Sequence, residues 1–175
     1  MIKIFNTLSG KKEAIRQTQG KPLRLFVCGP TVYDYPHIGN ARTFMAFDII
    51  VRYLRSDEGY KIFYLQNITD IDDKIIAKAK EEKTDWKTVA KKYEKIFYKN
   101  LKDLNINSVD KFARATDYIP EILKQVKTLI KKGNAYKIPG DGWYFDLKTF
   151  PDYGKLARRT VNQAEDGVSR IDASD

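Results

Sequence analysis

Apolar residues gather in this chain in two ways, as short unbroken runs and as stripes at helical spacing. Leu23 to Gly29 (LRLFVCG) is a run rich in strand formers, with Pro22 and Pro30 on either side. It predicts a buried strand. Tyr60 to Ile68 (YKIFYLQNI) is a second run, and its continuity predicts a strand covered on both faces. Between the two, Ile38, Ala41, Phe44, Met45, Ile49 and Tyr53 recur at helical spacing, and Gly59 supplies a stop. Strand, helix and strand in succession predict a βαβ unit, hence a parallel sheet with a right-handed crossover.

The pattern then turns helical. In TDIDDKIIAKAKEE, Thr69 is read as the N-cap, with Asp70, Asp72 and Asp73 in a first turn where the helix dipole favours acids. Further on, Trp86, Val89, Ala90, Tyr93, Ile96, Phe97, Leu101 and Leu104 form one stripe, and the lysines fall largely elsewhere. This is an amphipathic helix with a solvated back. A third helix begins within ARATDYIPEI, with Ile119, Ile122, Leu123, Val126, Leu129 and Ile130 as its apolar face and Gly133 as its end. Two strand-like runs around PGDG predict a hairpin. The tail from Pro151 to Asp175 is polar and irregular.

The fold class is α/β. It is a parallel sheet with too few strands to look finished, followed by a helix-and-hairpin element from about residue 115.

Composition changes this picture little. With 175 residues, 42% hydrophobic and 31% charged, the chain has the make-up of a folded, soluble protein. No apolar run reaches membrane-spanning length, no secretory h-region is present, and one cysteine cannot form an internal disulfide. A cytoplasmic location, with no membrane partner, is the expectation. The net charge of +9 favours polyanions such as nucleic acid, although a lysine-rich surface is an equally good explanation.

Chemistry concentrates at the end of the first strand. CGPTVYDYPHIGNARTF, Cys28 to Phe44, holds the only cysteine and the only histidine. In open parallel sheets ligands bind beyond the carboxyl ends of strands, and this loop runs straight into a helix N-terminus, where free backbone N–H groups favour anions. His37 and Asn40 are three apart and can project from one side of the first turn, and Gly39 would let a flat ligand approach the backbone. Imidazole and carboxamide donors there suit a polyphosphate. The residues alone leave open that His37 is simply a cap or a core group.

The same residues carry a wider likeness. KIFNTLSGKKE, VCGPTVYDYPHIGNARTFMAFDII, QNITDIDDKII, RATDYIPEI and YGKLARR, in this order, resemble the class I aminoacyl-tRNA synthetases, and the cysteinyl-tRNA synthetases in particular. The resemblance covers essentially the whole chain. It implies that residues 1–114 are the N-terminal half of a Rossmann-type catalytic domain of the HIGH-motif nucleotidyl transferase kind. Residues 115–175 would then be an incomplete connective insertion.

The implied activity is ATP-dependent activation of L-cysteine through cysteinyl-adenylate, with transfer to tRNA(Cys), using ATP, Mg and Zn. His37 and Asn40 would be catalytic. Thr31, Tyr33, His37, Gly39 and Asn40 would bind ATP, with Asn40 where the motif ends in a second histidine. Gly29 and Thr69 would line the substrate-cysteine pocket, and Cys28 would be one zinc ligand. The resemblance places the other zinc ligands, the KMSKS loop and the anticodon-binding domain beyond Asp175. The chain therefore reads as a fragment, of a monomeric enzyme by expectation, inactive by itself. The competing readings are a truncated, non-catalytic paralogue that binds ATP or RNA, and the related cysteine ligase of mycothiol synthesis.

Overall fold

A computed structural model describes residues 2–157. In chain order it contains β1 (Lys3–Asn6), β2 (Lys11–Ala14), β3 (Leu23–Val27), α1 (Ile38–Ser56), β4 (Ile62–Ile68), α2 (Asp73–Glu81) and α3 (Trp86–Asp103). There follow β5 (Lys111–Arg114), a 3-10 turn at Ala115–Tyr118, α4 (Ile119–Lys131), β6 (Ala135–Ile138) and β7 (Gly142–Phe145). Residues 158–175, the larger part of the polar tail and the end of YGKLARR, lie outside the described residues.

The chain divides into two compact units, one of residues 17–119 and the other of the described parts of 1–16 and 120–175. The first holds a parallel sheet in the order β3-β4-β5. Leu25 pairs with Tyr64 and Gln66 with Phe112, so residues of one parity share a face across all three strands. On that face Val27 and Tyr64 pack with Val51 of α1, while Ile68 joins Phe44, Val89, Phe97 and Leu101 from α1 and α3. The helices thus cover one side of the sheet. On the other, Phe26 and Phe63 are exposed. The second run is therefore not a strand buried on both faces: β4 alternates, because both crossovers lie on the same side of the sheet.

Three further expectations change. The buried stripe of α1 is Phe44, Asp48, Val51 and Leu54, while Met45, Ile49 and Tyr53 are exposed. An aspartate in the core stripe disguised it. Asp48 is tolerated there because its Oδ1 accepts from Asn107 N (2.9 Å) and Ser108 N (2.8 Å), and its Oδ2 accepts from Arg52 Nε (2.6 Å). Next, α2 starts at Asp73 with Asp72 as its N-cap, not Thr69, since Thr69 is still engaged with the loop after β3. Finally, the helix expected within ARATDYIPEI is preceded by a strand, β5, and a 3-10 turn. The stripe of α3 buries Val89, Ala90, Tyr93, Phe97 and Leu101 as expected, though Leu104 is exposed.

In the second unit β1 and β2 form an antiparallel hairpin that the polar pattern did not suggest, and β6–β7 form the expected one. Ile119, where α4 begins, is partly exposed; in the second unit, Ile122 and Leu123 of α4 are exposed too. Gly59 and Gly133 take φ of +68° and +73°, the left-handed conformation that ends a helix.

Candidate functional site

The loop 28–37 leaves the carboxyl end of β3 and stays stitched to β4. Thr31 and Thr69 form a parallel bridge: Val32 N donates to Thr69 O (3.2 Å), and Thr69 N donates to Pro30 O (3.0 Å). Asn67, at the end of β4, clamps the crossing. Its Oδ1 accepts from Gly29 N at 2.8 Å, and its Nδ2 donates to Thr69 Oγ1 at 3.2 Å. Sequence reasoning missed this residue, because its role depends on the β3–β4 register. Gly29 is required by geometry: a Cβ there would lie 1.7 Å from the Asn67 carbonyl oxygen.

The loop ends in a reciprocal cap on α1. His37 is the N-cap, with extended backbone (φ −92°, ψ 168°); its Nδ1 accepts from Gly39 N at 3.0 Å. In return Asn40 Oδ1 accepts from His37 N at 3.2 Å, and Asn40 N donates to His37 O at 3.0 Å. Three of the four amides that a helix start leaves over are thus engaged. The free backbone donors expected at this N-terminus are largely taken. What remains are side-chain donors. With Nδ1 accepting, a neutral imidazole carries its proton on Nε2, and Asn40 keeps its Nδ2–H₂. Gly39 also has a more local reason than ligand approach, since a Cβ there would lie 2.8 Å from His37 Cε1. The cap and ligand readings of His37 are compatible, because the cap uses Nδ1 and leaves Nε2.

A cavity of about 190 Å³ runs along this loop, lined among others by Gly29, Thr31, Tyr33, His37, Asn40 and Tyr93. Five sequence-predicted residues therefore meet on one concavity, while Cys28, Gly39 and Thr69 are not among its lining residues. Tyr33 packs against the core, with Lys74 Nζ 5.5 Å from its ring centre, and Tyr35 meets Tyr93 edge-on at 5.5 Å.

Cys28 is exposed, just past the end of β3. Among the described residues no group of three or more His, Cys, Asp or Glu side chains is placed to hold a metal ion. These residues do not fit a tetrahedral zinc centre, which needs four ligands. Of the three aspartates after β4, Asp72 caps α2 and Asp73 lies in its first turn. Asp70 does neither: it is buried and accepts from the backbone N and the hydroxyl of Thr116, tying the end of β4 to the turn after β5.

Among the described residues no helix is long and apolar enough to cross a membrane. The family model described as "tRNA synthetases class I (C) catalytic domain" matches residues 14–174. The cysteine–tRNA ligase of Pyrococcus furiosus is 43% identical over 168 residues, 96% of this chain and 35% of that protein. Those of Enterococcus faecalis and Thermoplasma volcanium are 44% and 47% identical, over 97% and 91% of this chain and 36% and 35% of theirs. The chain thus spans about a third of the length of these curated relatives. Among solved structures, Mycobacterium tuberculosis methionyl-tRNA synthetase in complex with methionyl-adenylate superposes with a TM-score of 0.61 at 24% identity. The match covers 66% of this chain and 23% of that one, a likeness of fold.

Proposed function

The chain belongs to the class I (C) tRNA synthetase catalytic-domain family, and from that premise we propose that it supplies the ATP-binding half of a cysteine–tRNA ligase. In the complete protein, L-cysteine and ATP form cysteinyl-adenylate and pyrophosphate, and the cysteinyl group then passes to tRNA(Cys). Residues 1–114 form the first half of the catalytic domain in this reading, and 115–175 belong to a connective insertion. The enzyme works in the cytoplasm.

The observation that carries the reading is the meeting of Thr31, Tyr33, His37 and Asn40 on one cavity at the carboxyl end of a parallel strand. The carboxylate of cysteine attacks the α-phosphorus of ATP, and the bond to pyrophosphate breaks. No enzyme side chain need bond covalently to the substrate. What this chain contributes is positioning and electrostatic stabilisation. His37 Nε2–H and Asn40 Nδ2–H₂ donate to phosphate oxygens as negative charge grows there, and the α1 dipole acts in the same sense. The cavity is smaller than the roughly 300–1,000 Å³ of a site that encloses a whole ligand, so it seats part of the nucleotide. Gly29, which lines the cavity, and Thr69, which adjoins it through the bridge to Thr31, would bound the cysteine side of the site. Magnesium would ride on the ATP phosphates. Cys28 would give zinc one thiolate ligand, a soft donor suited to that metal; the described residues do not complete the set.

Cysteine-dependent ATP–pyrophosphate exchange tests the proposal, with the 175-residue chain compared against one extended to the length of its relatives. Exchange is expected from the extended chain alone. There, His37→Ala is expected to cost about 10²–10³-fold, the usual loss on removing one donor to a developing charge. An unchanged exchange rate in that variant would refute the role given to His37.

A further inference from the structure

A second cavity, of about 490 Å³, opens at the carboxyl ends of β4 and β5 against the N-terminal half of α3. It is lined by Asp70, Trp86, Lys87, Ala90, Lys91, Glu94, Arg114 and Thr116, none of which belongs to the His37 loop. Trp86, Ala90 and Glu94 recur every fourth residue and make one wall; the end of β5 makes the other.

The acids here already have partners. Asp70 takes both the N–H (3.0 Å) and the hydroxyl of Thr116, and Glu94 Oε1 accepts from Arg114 Nε at 2.7 Å. The cations are less committed. Among the described residues neither Lys87 nor Lys91 forms an ion pair, although Lys87 Nζ stands 5.5 Å over the Trp86 ring. Arg114 engages Glu94 through Nε, and its terminal Nη1 is 4.0 Å from Asp117. The cavity therefore presents two uncommitted ammonium groups and a guanidinium beside a half-buried indole, with both carboxylates already hydrogen-bonded.

We propose that this cavity is a second, nucleotide-binding site, in which a base stacks on Trp86 and its phosphate is held by Lys87, Lys91 and Arg114. Three features select that ligand class. The volume falls in the ordinary range for small-ligand sites. An indole face offers stacking that every base can use. The surplus of cations over unsatisfied acids asks for an anion, and guanidinium and ammonium groups are the usual phosphate partners. Lys87 now occupies the ring face; on binding it would exchange that contact for the phosphate. A free mononucleotide and a nucleotide within an RNA strand share this chemistry.

The chain has two tryptophans, so Trp143→Phe leaves Trp86 as the sole indole reporter. In that background Trp86 emission is followed while AMP, and separately a short single-stranded oligoribonucleotide, is added. A saturable quench is expected with both. It should weaken roughly tenfold or more in Lys87→Glu/Lys91→Glu, two surface changes that leave the Glu94–Arg114 pair intact. It should persist in His37→Ala protein whose circular dichroism shows the helices intact. Tighter binding of the oligonucleotide, with a steeper salt dependence, identifies an RNA strand as the source; equal binding identifies a free nucleotide. The proposal is overturned if no saturable quench occurs, if the charge reversal leaves it unchanged, or if His37→Ala abolishes it. That last result would move binding to the His37 loop. Because the readout is Trp86 and not pyrophosphate exchange, failure here is distinct from failure of the ligase reading.

Discussion

A Cβ added to Gly29 would sit 1.7 Å from the Asn67 carbonyl oxygen and 2.9 Å from its carbonyl carbon, both of them backbone atoms that cannot swing aside. Gly29→Ala must therefore part β3 from β4 where the candidate site begins. The expected cost is about 1–3 kcal/mol or more of folding stability, measured as a shift in urea midpoint. A loss below about 0.5 kcal/mol, the scale of an ordinary surface change, would mean that the strand ends separate freely. At this scale the sequence was most informative about residue types and least about reasons. His37, Gly39 and Asn40 could be singled out from a short pattern, but their hydrogen bonds run first to one another. Asp70 looked like a helix residue, and its partner Thr116 is 46 positions away, a separation that no local pattern can signal.

Elements were legible where their pattern was undisturbed. β3, β4 and α3 could be read from runs and stripes, although the runs did not show that Phe26 and Phe63 lie on the exposed side of the sheet. β5 is only KFAR, and the β1–β2 hairpin is KIFN against KKEA. Neither offers a run or a clear alternation, so pairing with a neighbour defines them rather than their own composition. The core face of α1 was misread because Asp48 interrupts it. That aspartate joins α1 to the loop between α3 and β5. Burial pulls its pKa up, but hydrogen bonds from Ser108, Asn107 and Arg52 outweigh this and leave it below the ordinary carboxylate value. A carboxyl with a folded pKa lower than its unfolded one stabilises fully above the unfolded value, near 3.9, and loses that contribution as pH falls through the lowered one. Asp48→Asn is therefore expected to flatten the fall of the urea midpoint in the acid range. An unaltered acid profile in the variant would show that Asp48 is not the group responsible.

On the scale of the whole molecule, unit 17–119 holds all three parallel strands, helices α1 to α3, the His37 loop and the Trp86 cavity. Its core clusters draw only on residues inside that span. A protein cut to residues 17–119 is expected to give one cooperative urea transition followed by circular dichroism. A broad, gradual loss of signal would show that the flanking segments are needed for the sheet to form. The fold class could be anticipated because a βαβ unit follows from local pattern and a fixed crossover hand. The gathering of N-terminal residues with those after 120 could not, since nothing local links segments so far apart. The cap on α1 also bears on attempts to evolve this protein in the laboratory. Because His37 and Asn40 start the helix with the same side chains that face the cavity, libraries that vary them will lose foldable clones together with active ones. Substitutions at Asp34 and Tyr35, which are exposed and line the same cavity, reshape its rim without touching the cap. A library meant to reshape this cavity has its widest room at those two positions.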